Sequence, residues 1–144
     1  MRSVIELDVN VRQEKLAELF TDPRRNPEWM DDLERIEPVS GDLGAPGSSY
    51  RLVPKKGRLT FVARVISREL PTAAELVLEA PNVSVSVTGR FIPLSETTSR
   101  LVSEEIFKFN GVLWKFLELF ARRAIKGSHR KQMESFKRSA ERQG

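Results

Sequence analysis

The feature that most constrains the fold is a change of hydrophobic period at Asn110-Gly111. Upstream of it, stretch after stretch alternates apolar with polar residues, the two-residue period of a half-buried strand. Downstream, apolar residues recur at helical spacing. Val83, Val85, Val87 and Phe91 alternate with Ser84, Ser86, Thr88 and Arg90, which is the cleanest strand in the chain. Ser48–Val53, Arg58–Leu70 and Glu75–Ala80 precede it, and Thr98–Phe109 follows. The breaks between them are brief: Pro54-Lys55-Lys56-Gly57, Pro71-Thr72-Ala73, Pro81-Asn82 and Ser95-Glu96-Thr97. Short turns between long strands predict an antiparallel meander.

The first third adds a strand, two small helices and a second strand. Ile5, Leu7, Val9 and Val11 alternate with Glu6, Asp8 and Asn10. Asn10 stands where it can cap a helix, with Gln13 three positions on in a capping-box-like arrangement. Leu16, Leu19 and Phe20 then share one helical face. Thr21-Asp22-Pro23 ends that helix and opens a short one carrying Trp29 and Met30, since proline suits a first turn. Ile36 and Val39 mark a strand over Leu33–Ser40. The following turn holds Gly41, Gly44 and Gly47, and its spacing matches neither G-x-G-x-x-G nor G-x-x-x-x-G-K-[ST]. It reads as a strand connection using positive φ, not a phosphate loop.

The closing helix carries two apolar stripes. Leu113, Phe116, Leu117, Phe120 and Ala124 form one; His129, Met133, Phe136 and Ala140 form another. At about 100° per residue the second is rotated roughly 140° from the first. Gly127-Ser128 lies between them, so either the helix kinks there or its buried face drifts.

Composition bounds what such a chain can be. Its 144 residues suit one domain over residues 1–144. A content of 40% hydrophobic and 31% charged residues is ordinary for a globular protein. No apolar run reaches the roughly 20 residues that span a bilayer. The acids in the first eight residues do not fit a signal peptide, so a cytoplasmic location is expected. There is no cysteine and one histidine, which excludes disulfides and leaves no metal site to expect. From Ala121 to Gly144 eight Lys/Arg face two Glu, a local +6 that leaves −2 on the other 120 residues. A solvated helix face accounts for this, and RNA or an anionic membrane is the alternative partner.

The whole pattern is β-α-α-β-β-β-β-β-β-α. The chain resembles the START-like superfamily, also called SRPBCC, which includes polyketide cyclase/dehydrase-like and Bet v 1-like proteins. The residues carrying the resemblance are Leu16–Trp29 (helix, Asp-Pro, Pro-x-Trp), Gly41–Leu52 (Gly-x-Leu-Gly-x-x-Gly before a Tyr-bearing strand), and the closing Phe136-Lys137-x-x-Ala140-Glu141. The resemblance implies an α+β helix-grip fold, a seven-stranded curved antiparallel sheet around a long C-terminal helix. It also implies a cavity for a hydrophobic small molecule, with cyclisation or dehydration catalysed there in some members and no cofactor.

Strand parity nominates the side chains facing that cavity. Ile5, Leu7 and Val9 come from the first strand, and Tyr50 and Leu52 from the third. Leu59, Phe61, Ala63 and Val65 follow, then Leu76 and Leu78, then Val83, Val85, Val87 and Phe91. On the last strand Leu101, Phe107 and Phe109 share a phase with Ser103 and Glu105. Glu105 is the candidate acid/base, because a carboxylate among apolar groups has its pKa raised. A slipped register would expose it and turn Glu104 inward, and a structural pairing with Tyr50 is the other plain account. His129 can hang over the cavity, but Arg130 and Lys131 beside it favour the surface or rim. Trp29 either lines the pocket or closes the core, and Trp114 reads as an edge residue. The candidate ligand-binding residues are Trp29, Tyr50, Phe61, Phe91, Glu105, Phe107 and Phe120, although Phe116 and Phe120 read first as core.

Three functions fit. The first is binding of a hydrophobic or amphipathic, lipid- or polyketide-like molecule. The second is a cyclase or dehydratase using Glu105, with Tyr50 or His129. The third is an interaction protein acting through its basic terminal helix. The ligand and the oligomeric state are not written in the sequence.

Overall fold

Seven strands form one antiparallel sheet in the computed structural model, which describes residues 1–57 and 59–143. The strands are β1 (Arg2–Val9), β2 (Leu33–Ser40), β3 (Ser49–Pro54), β4 (Phe61–Glu69), β5 (Ala73–Ala80), β6 (Val83–Pro93) and β7 (Ser99–Phe109). Helix α1 (Gln13–Thr21), a 3₁₀ turn (Pro23–Arg25) and α2 (Asn26–Trp29) lie between β1 and β2. Helix α3 (Val112–Gln143) closes the chain. Across the sheet the order is β1-β7-β6-β5-β4-β3-β2, a meander whose last strand pairs with its first. This is the curved helix-grip architecture. Arg58, where the fourth strand was expected to open, lies outside the described residues, and that strand begins at Phe61.

The curvature has local causes. The register shifts between Val65 and Ser67 against β5, and twice in the β2–β3 pair. Each shift is an irregularity that bends a strand and increases its twist. Gly41, Gly44 and Gly47 all have positive φ, the conformation that the turn before β3 needs. Pro81-Asn82 is the two-residue loop between the paired Ala80 and Val83, and Asn82 has φ 66°. Asparagine tolerates that region better than most residues.

The helix start differs from the expected one. Asn10 does not cap α1; the N-cap is Arg12, without a side-chain hydrogen bond. The chain turns first, with the Val11 N–H donating to the Val9 carbonyl at 2.8 Å. The Asn10 N–H instead donates to Glu141 at 2.9 Å, and Gln13 Nε2 donates to the Phe91 carbonyl at 2.9 Å. Both polar groups thus tie α1 to neighbouring elements. Asp22 does cap, accepting from the Arg24 N–H at 3.0 Å to start the 3₁₀ turn.

Helix α3 holds the largest correction. It runs unbroken through Gly127-Ser128. His129, Met133, Phe136 and Ala140 are buried, the last three in a core with Leu16, Leu19, Trp29 and Phe91. That packing fixes the rotation of the whole helix. Trp114, Glu118, Ala121 and Ile125 are the partly covered residues of its first half. Leu113, Phe116, Leu117, Phe120 and Ala124 were expected to be buried and are exposed. With 3.6 residues per turn, a continuous helix cannot turn both stripes to one sheet. The more heavily packed stripe wins.

Candidate functional site: a cleft ending at Glu105 and His129

Two apolar clusters divide the inner face of the sheet. One joins β1, β6 and β7 to α1, α2 and the second half of α3. The other, Leu33, Tyr50, Leu52, Ala63 and Val65, belongs to β2, β3 and β4. Between the sheet and the middle of α3 lies an open cleft of about 560 Å³. Its walls are apolar: Leu33, Leu52, Phe61, Leu78, Val85 and Phe107 from the strands, and Ile125 from the helix. Leu59 and Gly57 line it from the β3–β4 connection. Glu105, His129, Asp32, Ser128 and Gln132 supply its polar groups. The volume lies within the roughly 300–1,000 Å³ range of small-molecule sites.

Register explains why a carboxylate is here. Glu105 pairs with Val87 on β6 and with Ser3 on β1. It therefore points to the inner face with Val85 and Phe107, and Glu104 points outward to an ion pair with Arg2. Burial raises the Glu105 pKa from 4.5 to about 7, since desolvation disfavours the charged form.

His129 is buried, with its ring closed from solvent, and not at the surface or rim as expected. Helical direction decides this: Arg130 and Lys131 project from other sides of α3 and are exposed. The ring is held at both nitrogens, by Ser3 Oγ at 2.8 Å from Nδ1 and Ser103 Oγ at 2.9 Å from Nε2. A neutral imidazole has one donor and one acceptor, so one serine donates to it and the other accepts. Desolvation, aided by the charge of Arg130, lowers the His129 pKa from 6.5 to about 4. Glu105 Oε1 lies 3.6 Å from Nδ1, adjacent but beyond hydrogen-bond distance. Between these two pKa values both groups are uncharged. Glu105 then offers the cleft a proton donor, and above about 7 an acceptor or base.

The structure brings Phe61, Glu105 and Phe107 together in the cleft, and it adds His129. Trp29 stacks on Phe20 at 5.6 Å and meets Phe136 edge-on at 5.2 Å, so of its two expected positions it takes the core. Phe91 is core as well. Tyr50 borders a separate void of about 30 Å³, room for about one water, and its hydroxyl bonds to Asn26. Phe120 is 72% exposed on the opposite side of α3. Trp114 stacks on Phe109 at 6.2 Å. Ser3 was not singled out in the sequence; its parity with Ile5 and Leu7 was the available signal. A broad depression on the outer face of β3–β5 is crossed by the Arg64–Glu79 ion pair and has few apolar walls. No three potential metal ligands converge among the described residues.

Comparison with known proteins gives one family and one fold. The family model described as polyketide cyclase/dehydrase and lipid transport matches residues 2–141. No curated protein sequence matches the chain. The fold is similar to that of the Zhui aromatase/cyclase from Streptomyces sp. R1128, with TM-score 0.76 and 16% identity over 99% of this chain and 94% of that one. A START superfamily protein from Mycobacterium smegmatis is similar with TM-score 0.74 and 12% identity, covering 99% and 95%. Norcoclaurine synthase from Thalictrum flavum, solved with dopamine and hydroxybenzaldehyde, is similar with TM-score 0.70 and 14% identity, covering 96% and 86%.

Proposed function

Since the chain belongs to the polyketide cyclase/dehydrase and lipid transport family, we propose that its cleft binds a hydrophobic or amphipathic small molecule, lipid- or polyketide-like. The observation that carries this reading is the 560 Å³ opening with largely apolar strand walls and a few polar groups, Glu105 the most deeply buried acid among them. Such pockets gain affinity from apolar burial and orientation from a few polar groups. The phenylalanines at 61 and 107 flank the ligand's apolar body. Below about pH 7, where it carries its proton, Glu105 donates to a carbonyl or hydroxyl oxygen of the ligand. Native mass spectrometry tests the reading. Apolar material should co-purify with the wild-type protein and be reduced in Leu78→Trp, whose indole projects into the cleft and narrows it. Equal ligand content in both proteins contradicts it.

A second reading is supported by the same carboxyl. A group with a pKa of about 7 is poised to give and take protons at neutral pH. Glu105 then acts as acid or base in cyclisation or dehydration of a poly-β-keto substrate. His129, held by Ser3 and Ser103, lies beside it at 3.6 Å. Glu105→Gln keeps the shape and loses the titration. Retained binding with turnover of a poly-β-keto thioester reduced at least about a hundredfold, the low end for general acid–base catalysis, supports the enzyme. Unchanged turnover excludes it.

A further inference from the structure

The first half of α3 presents an apolar face that nothing in the chain covers. Leu113, Phe116, Leu119 and Phe120 are 59–72% exposed, and Phe116 and Phe120 lie against each other at 5.4 Å. These residues project to one side of the helix, away from Trp114, Ala121 and Ile125. Contiguous exposed apolar groups of this size mark an interaction surface. Cations accompany it: Lys115, Arg122 and Lys126 are exposed along one flank, and Arg123 is exposed among the apolar groups. The one acid of the segment, Glu118, turns inward to the Met1 amino group at 3.2 Å.

We propose that this face of α3 docks on an anionic lipid bilayer. Large apolar side chains on one side of a helix with Lys and Arg along the flank are the requirements for a helix lying in the membrane interface. The phenylalanines and leucines enter the boundary between headgroups and acyl chains, and the cations meet lipid phosphates. The chemistry disfavours two other occupants. RNA would use the cations but leave the leucines and phenylalanines unpaired. A second copy docked antiparallel would set the same cationic flank of both chains together, Lys115 against Arg122. Docking here also has a consequence for the cleft. Ile125 lines its wall from the other side of α3, so a membrane-bound helix leaves the cleft wall facing away from the lipid surface. The docking itself holds whatever the cleft carries.

Vesicle sedimentation tests this on the full chain. The protein should pellet with vesicles of phosphatidylcholine and phosphatidylglycerol far more than with phosphatidylcholine alone, and less as salt rises. Arg122→Gln/Arg123→Gln should weaken partition roughly thirtyfold, about fivefold per cation. Phe116→Ser/Phe120→Ser should abolish it without lowering the melting temperature, because both rings are exposed. Hydrogen exchange on the unmutated protein gives a second readout, with vesicle-dependent protection confined to Val112–Lys126. Four results overturn the proposal: no binding to anionic vesicles, undiminished binding by the double phenylalanine variant, vesicle protection elsewhere in the chain, or a wild-type dimer that the variant splits.

Discussion

Glu105 and His129 reach the same point from β7 and α3, and the fold treats them oppositely with one physical cause. Desolvation favours the neutral form of each, raising the acid's pKa to about 7 and lowering the base's to about 4. The linkage to stability follows from these directions. Glu105 binds its proton more tightly in the folded state, so its contribution is complete below 4.5 and is lost as pH rises from 4.5 to about 7. His129 binds its proton less tightly in the folded state, so its contribution is complete above 6.5 and is lost as pH falls to about 4. Their opposed slopes leave a plateau between roughly 4.5 and 6.5. Urea unfolding of Glu105→Gln should therefore show the variant gaining on the wild type as pH rises from 4.5 to about 7, with the gain constant above that. The opposite trend would mean that the carboxylate is favoured in the fold. Parity alone identified Glu105. It could not locate His129, whose neighbours Arg130 and Lys131 signalled solvent while its own direction on the helix was set by distant packing.

At the scale of elements, strands and turns were legible because their signals are local. Alternation in Val83–Phe91 and the Pro81-Asn82 turn specify β6 and its hairpin with little help from elsewhere. Helix α3 was less legible. Its periodicity revealed two stripes and their relative rotation, but which stripe meets the sheet depends on Phe136, Trp29 and Phe20 packing together, a three-dimensional fact. Gly89 belongs to the same cluster. A Cβ there would come within 2.9 Å of the Phe20 ring, which is itself held by Trp29, Phe91 and Phe136. Gly89→Ala should thus destabilise the protein by about 1–3 kcal/mol, the usual cost of overpacking. Thermal unfolding checks this, and a neutral result would show that Phe20 can move aside.

For the whole molecule, one continuous α3 serves several faces. Its second half closes the core, its middle walls the cleft, and its first half turns an apolar, cation-flanked surface outward. No helix of the described residues is long and apolar enough to cross a membrane. The cleft is the feature on which the functional reading depends, and amide NMR titration with 2-naphthol, a fused aromatic bearing one hydroxyl, tests it most directly. The account predicts saturable shifts centred on Leu52, Phe61, Leu78, Val85, Glu105 and Phe107. Shifts confined to Val112–Phe120, or no saturable shifts at all, would contradict it.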